Sequence, residues 1–333
     1  MARTTGARPS ASRRRPNRPG EPGARDTRPA SSGAGVIDKL AYLIALAREQ
    51  HFGRAADSCG VTQPTLSAGI KQLEEQLGVL LVQRGSRFIG FTPEGQRTLD
   101  WARRIVGDAQ ALRDEIRALK TGLAGHLRLS VIPTALPMVT ALTEPFRLAH
   151  PNVTFSVFSR TSIEVLAQLE NLETDVGLSY LDREPVGRVR TLPLYHEVYW
   201  LVVAADHALA TARSVIWEQL GDVPLALLTP DMQNRRIIDA ALREAGVTSA
   251  PAMQSDSMLA VLAHVRTGQW AGVLPAVLVD TLDVAGRLVA IPIDDRRPPP
   301  TVGLIYPQRE PLTPLTAALL AEARRFVATR GLH

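Results

Sequence analysis

Val61-Thr62-Gln63-Pro64-Thr65-Leu66-Ser67-Ala68-Gly69-Ile70-Lys71-Gln72-Leu73-Glu74-Glu75-Gln76-Leu77-Gly78 is the stretch on which the fold turns. Thr62 carries the short hydroxyl side chain that caps a helix start, and Pro64 falls in the first turn, where its missing N–H costs nothing. Gly78 offers the stop. Leu66, Ile70, Leu73 and Leu77 recur at helical spacing and predict one inward face. The opposite face then holds Pro64, Ser67, Ala68 and Lys71. Small side chains with a few donors are what a helix lying in the DNA major groove needs. At the helix start, Thr62, Gln63 and Thr65 sit beside exposed N–H groups that favour phosphate, and Gln63 can also read adenine bidentately.

The neighbouring segments fit that reading. Upstream, Ile37, Leu40, Leu43, Ile44 and Ala47 form one apolar helical stripe, and residues 54–59 form a second, shorter helix ended by Gly60. Downstream, Leu80–Arg84 and Arg87–Phe91 read as two short strands joined through Gly85-Ser86. Helix, helix, glycine turn, helix and hairpin is the order of a winged helix-turn-helix, expected over residues 36–91. Arg54 on the second helix, and Arg84 and Arg87 in the wing, are placed for backbone phosphates.

Thr92-Pro93-Glu94 opens a long helix over residues 92–122, with a cap, a proline and an acid in the order the helix start favours. Within it Ala102, Ile105, Ala109, Leu112, Ile116, Leu119 and Leu123 alternate at spacings of three and four, with charged residues alongside. So narrow a seam predicts pairing with the same helix of a second copy.

Beyond Gly122 the pattern becomes alternating strands and helices, which argues for an α/β fold of parallel sheets covered by helices. Two such sets predict two lobes within residues 124–333, the first about 124–195 with 300–333 and the second about 196–299. Strand-to-helix corners are where open α/β sheets bind ligands. Thr134-Ala135, Thr161-Ser162 and Thr229 with Asp231 and Arg235 occupy three of them, and hydroxyl-bearing helix starts suit a small anionic or polar ligand.

Composition narrows the function. Residues 1–35 hold eight Arg against Glu21 and Asp26, a net of +6, whereas the whole chain is +5, so the remainder is near −1. The basic character belongs to this arm, which has too little apolar surface to fold and is expected to be disordered. The single cysteine, Cys59, excludes an intrachain disulfide and a cysteine metal cluster. Apolar runs fall well short of the ~20 residues of a membrane helix, and no secretory signal is present. These features point to the cytoplasm, to no membrane partner and to no cofactor. No nucleophile elbow, P-loop, dinucleotide fingerprint or His-Glu-x-x-His site occurs, so an enzyme is not expected.

Ala41-Tyr42-Leu43, His51-Phe52-Gly53-Arg54-Ala55-Ala56, the 61–78 stretch and Thr92-Pro93-Glu94-Gly95 together resemble LysR-type transcriptional regulators, over residues 36 to about 330. The resemblance implies a two-lobed, periplasmic-binding-protein-like effector domain with a small-molecule co-inducer between its lobes. It further implies double-stranded promoter DNA as partner, a dimer through the linker helix that assembles into a tetramer, and contact with RNA polymerase. The arm of 35 residues departs from the family pattern, as does the short wing. Residues 229–235 resemble regulators that accompany formate dehydrogenase genes, which implies a link to formate or one-carbon metabolism.

Overall fold

The computed structural model describes residues 34–85, 88–182, 189–248, 250–282 and 287–331. Nearly all of the arm and Arg87 therefore lie outside the described residues. Three helices come first: α1 (Val36–Glu49), α2 (Phe52–Ser58) and α3 (Gln63–Leu77). The hairpin of β1 (Val82–Arg84) and β2 (Phe88–Phe91) follows, antiparallel, and then the long α4 (Pro93–Thr121). Each start is locally encoded. The Thr62 hydroxyl accepts from Thr65 N–H, and the Thr92 hydroxyl accepts from Gly95 N–H at 2.9 Å. Each such cap stabilises its helix by about 1 kcal/mol. Gly78 ends α3 at a positive φ of 71°.

Leu43, Leu46, Leu66 and Ile70 are fully buried where α1, α2 and α3 meet. The Glu74 carboxylate is buried and accepts from Leu81 and Val82 N–H at 3.0 and 3.1 Å, tying α3 to the wing. Leu77 departs from the expected inward face. It is half exposed and lies with exposed Val79 and Leu80, outside the three-helix core.

The remaining elements are β3 (Gly125–Val131), α5 (Leu136–Ala149), β4 (Val153–Ser159), α6 (Ser162–Glu170), β5 (Val176–Tyr180), β6 (Val189–His196), β7 (Tyr199–Ala204) and β8 (Leu225–Leu228). Then come α7 (Gln233–Glu244), β9 (Met253–Ser255), α8 (Met258–Val265), β10 (Ala271–Pro275), α9 (Ala276–Leu282), β11 (Leu288–Pro292), β12 (Thr301–Pro307) and α10 (Pro314–Arg330). They build two sheets of five strands, ordered β4-β3-β5-β12-β6 and β11-β7-β10-β8-β9.

Both sheets are mixed, not parallel as the alternating pattern suggested. β3, β4 and β5 run parallel, as do β8, β9 and β10, but β12 and β6, and β7 and β11, pair antiparallel. The reason is connectivity: the chain leaves each lobe along one of these strands and re-enters along another. β6 escaped the sequence reading because Pro193 interrupts it. Proline is tolerated here because β6 is an edge strand, next to a register shift against β12. Within the apolar run 271–279 the sequence predicts only a strand at 271–274, and α9 follows directly after Pro275. Leu123 falls beyond the end of α4, so the seam closes at Leu119.

The chain crosses between sheets at 196–198 and again between β11 and β12. The two crossings are hydrogen-bonded to each other, Glu197 N–H donating to the Pro300 carbonyl at 2.9 Å. The C-terminal ends of the parallel strands in both lobes therefore open on one cleft.

Gly95 is required by a close approach. A Cβ there would lie 1.9 Å from the Leu81 carbonyl oxygen. Gly95→Ala should lower the stability of the N-terminal domain by about 1–3 kcal/mol. The check is hydrogen exchange, which should accelerate for the α1 and α3 amides and stay unchanged in the lobes.

Candidate DNA-reading surface and effector cleft

The start of α3 meets the start of α2. His51 Nδ1 accepts from Gly53 and Arg54 N–H at 3.1 and 3.3 Å and caps α2, a role its sequence context did not suggest. Gln63 reaches across, its Oε1 being 3.5 Å from where a Cβ of Gly53 would stand. Thr62, Gln63, Pro64, Thr65 and Lys71 are exposed and Ser67 is half-buried, so the outward face of α3 is as the periodicity predicts. The Thr62 and Thr65 hydroxyls bond each other at 2.8 Å. Arg54 donates to the Glu49 carbonyl at 2.6 Å while most of its side chain stays exposed. Lys71 Nζ stands 3.9 Å from Glu75 Oε1, a loose i,i+4 ion pair in which both side chains stay largely exposed. Arg84 ends β1, and its side chain lies outside those described.

Along α4 the seam divides. Ala102 is fully buried in the N-terminal core, so the chain's own helices cover it. Ala109 is half-buried. Ile105, Leu112, Ile116 and Leu119 are exposed, Leu119 by 78%. Trp101, which the seam pattern missed, is exposed beside them with Arg104 over its ring. A run of bare aliphatic side chains on one helix stripe is the form of an unpaired coiled-coil face.

In the cleft, Thr134, Thr161 and Ser162 of the first lobe face Met232, Gln233 and Asn234 of the second around a pocket with about 10 Å³ of free space, roughly one water. Outside it lies a mouth of about 570 Å³, lined in part by Arg160, Glu164, Asp231 and Met258. Thr161 and Glu164 form a capping box, and Thr161 N–H donates to Glu164 Oε2 at 2.9 Å. Ser162 Oγ, Thr229 Oγ1 and Asn234 Nδ2 are buried without a hydrogen-bond partner. Ala135 is fully buried behind Thr134. Arg235 corrects an expectation: it is buried and donates to Asp239 Oδ1, the Leu228 carbonyl and Gln254 Oε1 at 2.7, 2.7 and 2.9 Å, so it holds β8 and β9 to α7 and does not line the cleft.

Beneath the pocket lies a carboxyl that sequence reading missed. Tyr180 OH and Tyr199 OH both donate to Glu197 Oε1, at 2.6 and 2.7 Å. Tyr180 spends its proton there, so Thr134 Oγ1 is the donor in its 3.3 Å contact with Tyr180. Glu197 Oε2 is buried and unpartnered. Burial pushes the Glu197 carboxyl up, against the pull of the Tyr180, Tyr199 and Thr134 hydroxyls and of the Asn234 amide. Burial, together with the Glu197 charge, likewise holds Tyr180 and Tyr199 well above the usual phenol range.

Residues 37–96 match the family model for bacterial regulatory helix-turn-helix proteins of the lysR family, and residues 120–328 match the LysR substrate binding domain. The chain belongs to the LysR family. OxyR of Escherichia coli K12, a DNA-binding transcriptional dual regulator, is 30% identical over 277 residues, 83% of this chain and 90% of that protein. A probable hydrogen peroxide-inducible genes activator of Streptomyces viridosporus is 32% identical over 262 residues, covering 76% and 82%. Among solved structures, a full-length OxyR variant from Pseudomonas aeruginosa matches with a TM-score of 0.68 at 29% identity, over 87% of this chain and 95% of that one. Full-length CbnR complexed with its target DNA shares the fold at a TM-score of 0.55 and 23% identity, over 87% and 99%.

This LysR-type transcriptional regulator thus has a DNA-binding helix-turn-helix and an effector-binding domain. Within that domain the raised Glu197 carboxyl predicts a stability that depends on pH. A carboxyl whose folded-state pKa is raised contributes stability that is complete at low pH and lost as pH rises through that pKa. As pH rises above the usual carboxylate range, the unfolding midpoint of the regulator should fall less in Glu197→Gln than in the parent. Equal slopes would show that Glu197 carries no such titration.

Proposed function

We propose that this regulator is a cytoplasmic homo-oligomer that binds promoter DNA sequence-specifically through paired α3 helices and answers to a small polar effector in the inter-lobe cleft, rather than an enzyme. The observation that carries the reading is the outward face of α3: exposed Gln63, Pro64, Thr65 and Lys71 with half-buried Ser67, above a capped helix start. Such a face approaches base edges closely, with Gln63 and Lys71 as readers and Thr62, Thr65 and Arg54 on phosphates. The bare stripe Ile105, Leu112, Ile116 and Leu119 supports dimerisation through α4, with half-sites about one DNA turn apart or a multiple of it. CbnR, of like fold, is known with its target DNA. Two such dimers would form the tetramer, and RNA polymerase is the further partner expected of a regulator at a promoter. No helix among the described residues is long and apolar enough to cross a membrane, which accords with the cytoplasmic reading.

Two specific effectors are not carried forward. Formate or a one-carbon acid would need Arg235, which is spent on internal acceptors. Several relatives are activators of hydrogen peroxide-inducible genes, and the reaction of peroxide with proteins runs through a thiolate. The one cysteine here is Cys59, next to the DNA-reading helix, and burial pushes its thiol up, away from the reactive thiolate.

Footprinting of a neighbouring promoter tests the reading. Gln63→Ala or Lys71→Ala should weaken specific binding by about 1–3 kcal/mol, and Ile105→Glu with Ile116→Glu should remove cooperative occupancy of the two half-sites. A parent protein with no preference over random DNA at moderate salt would overturn it. Brief peroxide treatment should leave the parent and Cys59→Ser with the same promoter affinity; a shift confined to the parent would restore thiol sensing.

A further inference from the structure

The charge lining the cleft narrows the effector class, given the reading above that the effector binds there. We propose that the ligand is a small cationic amine that also carries a hydrogen-bond acceptor on a short apolar body, and not an organic anion.

Three observations lead to this. Arginines around the cleft are already engaged. Arg235 is buried on Asp239, the Leu228 carbonyl and Gln254, and Arg236 donates to Gln233 Oε1 and the Asp231 carbonyl at 2.6 and 2.9 Å. Arg160, the one cation among the residues lining the mouth, donates to the Ser159 carbonyl and lies over the Phe158 ring.

Carboxylates outnumber it there. Asp231 and Asp256 are exposed at the mouth, without an ion pair among the described residues, and Glu164 caps α6. Clefts lined by one sign of charge concentrate ligands of the other. An anion entering would meet these groups and then the Glu197 carboxyl one hydrogen bond beneath the pocket, through Tyr180.

The pocket also contains buried polar atoms awaiting a partner. Ser162 and Asn234 are more than nine-tenths buried and line it from opposite lobes, Ser162 Oγ lacking any hydrogen bond and Asn234 Nδ2 having only a loose approach to the Glu197 carboxyl, short of hydrogen-bond geometry. An ammonium group donates to the serine oxygen, while a hydroxyl or carbonyl on the same molecule accepts from the asparagine amide. Such a ligand would bridge the lobes and pair buried atoms that are otherwise costly to leave unsatisfied. Its apolar part meets Leu136, Met232, Met258 and the 74% exposed Leu259 in the mouth.

Aminobutanol, hydroxybutanoate and butanediol form a matched trio of cation, anion and neutral diol with which to titrate the full chain by calorimetry. Aminobutanol should bind about tenfold or more tighter than the other two. Asp231→Asn with Asp256→Asn, both at exposed positions, should bring the three affinities together. Equal or tighter binding of hydroxybutanoate or butanediol, or no binding of aminobutanol, overturns the amine assignment. Failure of the cleft reading itself looks different: aminobutanol affinity would then survive both Ser162→Val in the pocket and Leu259→Trp at its mouth, whereas binding in the cleft requires each to weaken it.

Discussion

One carboxylate oxygen, Glu197 Oε1, accepts a hydrogen bond from Tyr180 of the first sheet and another from Tyr199 of the second. It does so in the segment where the chain passes between lobes, beside the second crossing, to which its own N–H is bonded. Hydrogen bonds to a buried charged group contribute about 1.5–3 kcal/mol each, more than most neutral ones. The arrangement of the cleft depends on this junction. Tyr180 closes the end of β5, Thr134 donates to it from the corner after β3, and Asn234 begins the facing helix of the other lobe. A single acid thus sets where two sheets, formed by segments far apart in sequence, present their strand ends.

Because only two crossings join the lobes, hinge motion is the natural freedom of the domain. The pocket as described has scarcely room for one water, so it corresponds to a closed arrangement. A ligand shifts the balance between closed and open forms only by binding them with different affinity. Ser162 and Asn234 supply that difference, since a ligand can pair both at once only when the lobes are together.

The first lobe is also fastened to α4. Arg103 Nη2 donates to Asn171 Oδ1 at 2.8 Å, and Gly107 leaves the space that the Arg309 guanidinium fills. The second lobe shows no comparable tie to α4 among the described residues. Movement of the second lobe against the first is therefore movement against the helix that carries the DNA-reading domain. At 1.5 Å per residue the 29 residues of α4 make a strut of roughly 43 Å.

Caps, periodicity and turn residues act over a few residues, so the chain's own order specifies α3, the wing and α4 without reference to the rest. Thr62, Thr92 and Gly78 work where local chemistry puts them. What periodicity cannot do is name the neighbour that covers a stripe. Ala102 and Ile105 share one seam, yet the first is buried by its own domain and the second is bare, and Leu77 falls outside a core its spacing suggested. Of the corners at Thr134, Thr161 and Thr229 only Thr161 caps its helix by side chain, α7 starting instead at Met232, and Arg235 looked like a ligand-holding residue until Gln254 and the Leu228 carbonyl were brought to it by the pairing of β8 and β9. Glu197 had no local signature at all. Its meaning comes from Tyr180, Tyr199 and Pro300, which only the meeting of two separately built sheets places around one buried charge.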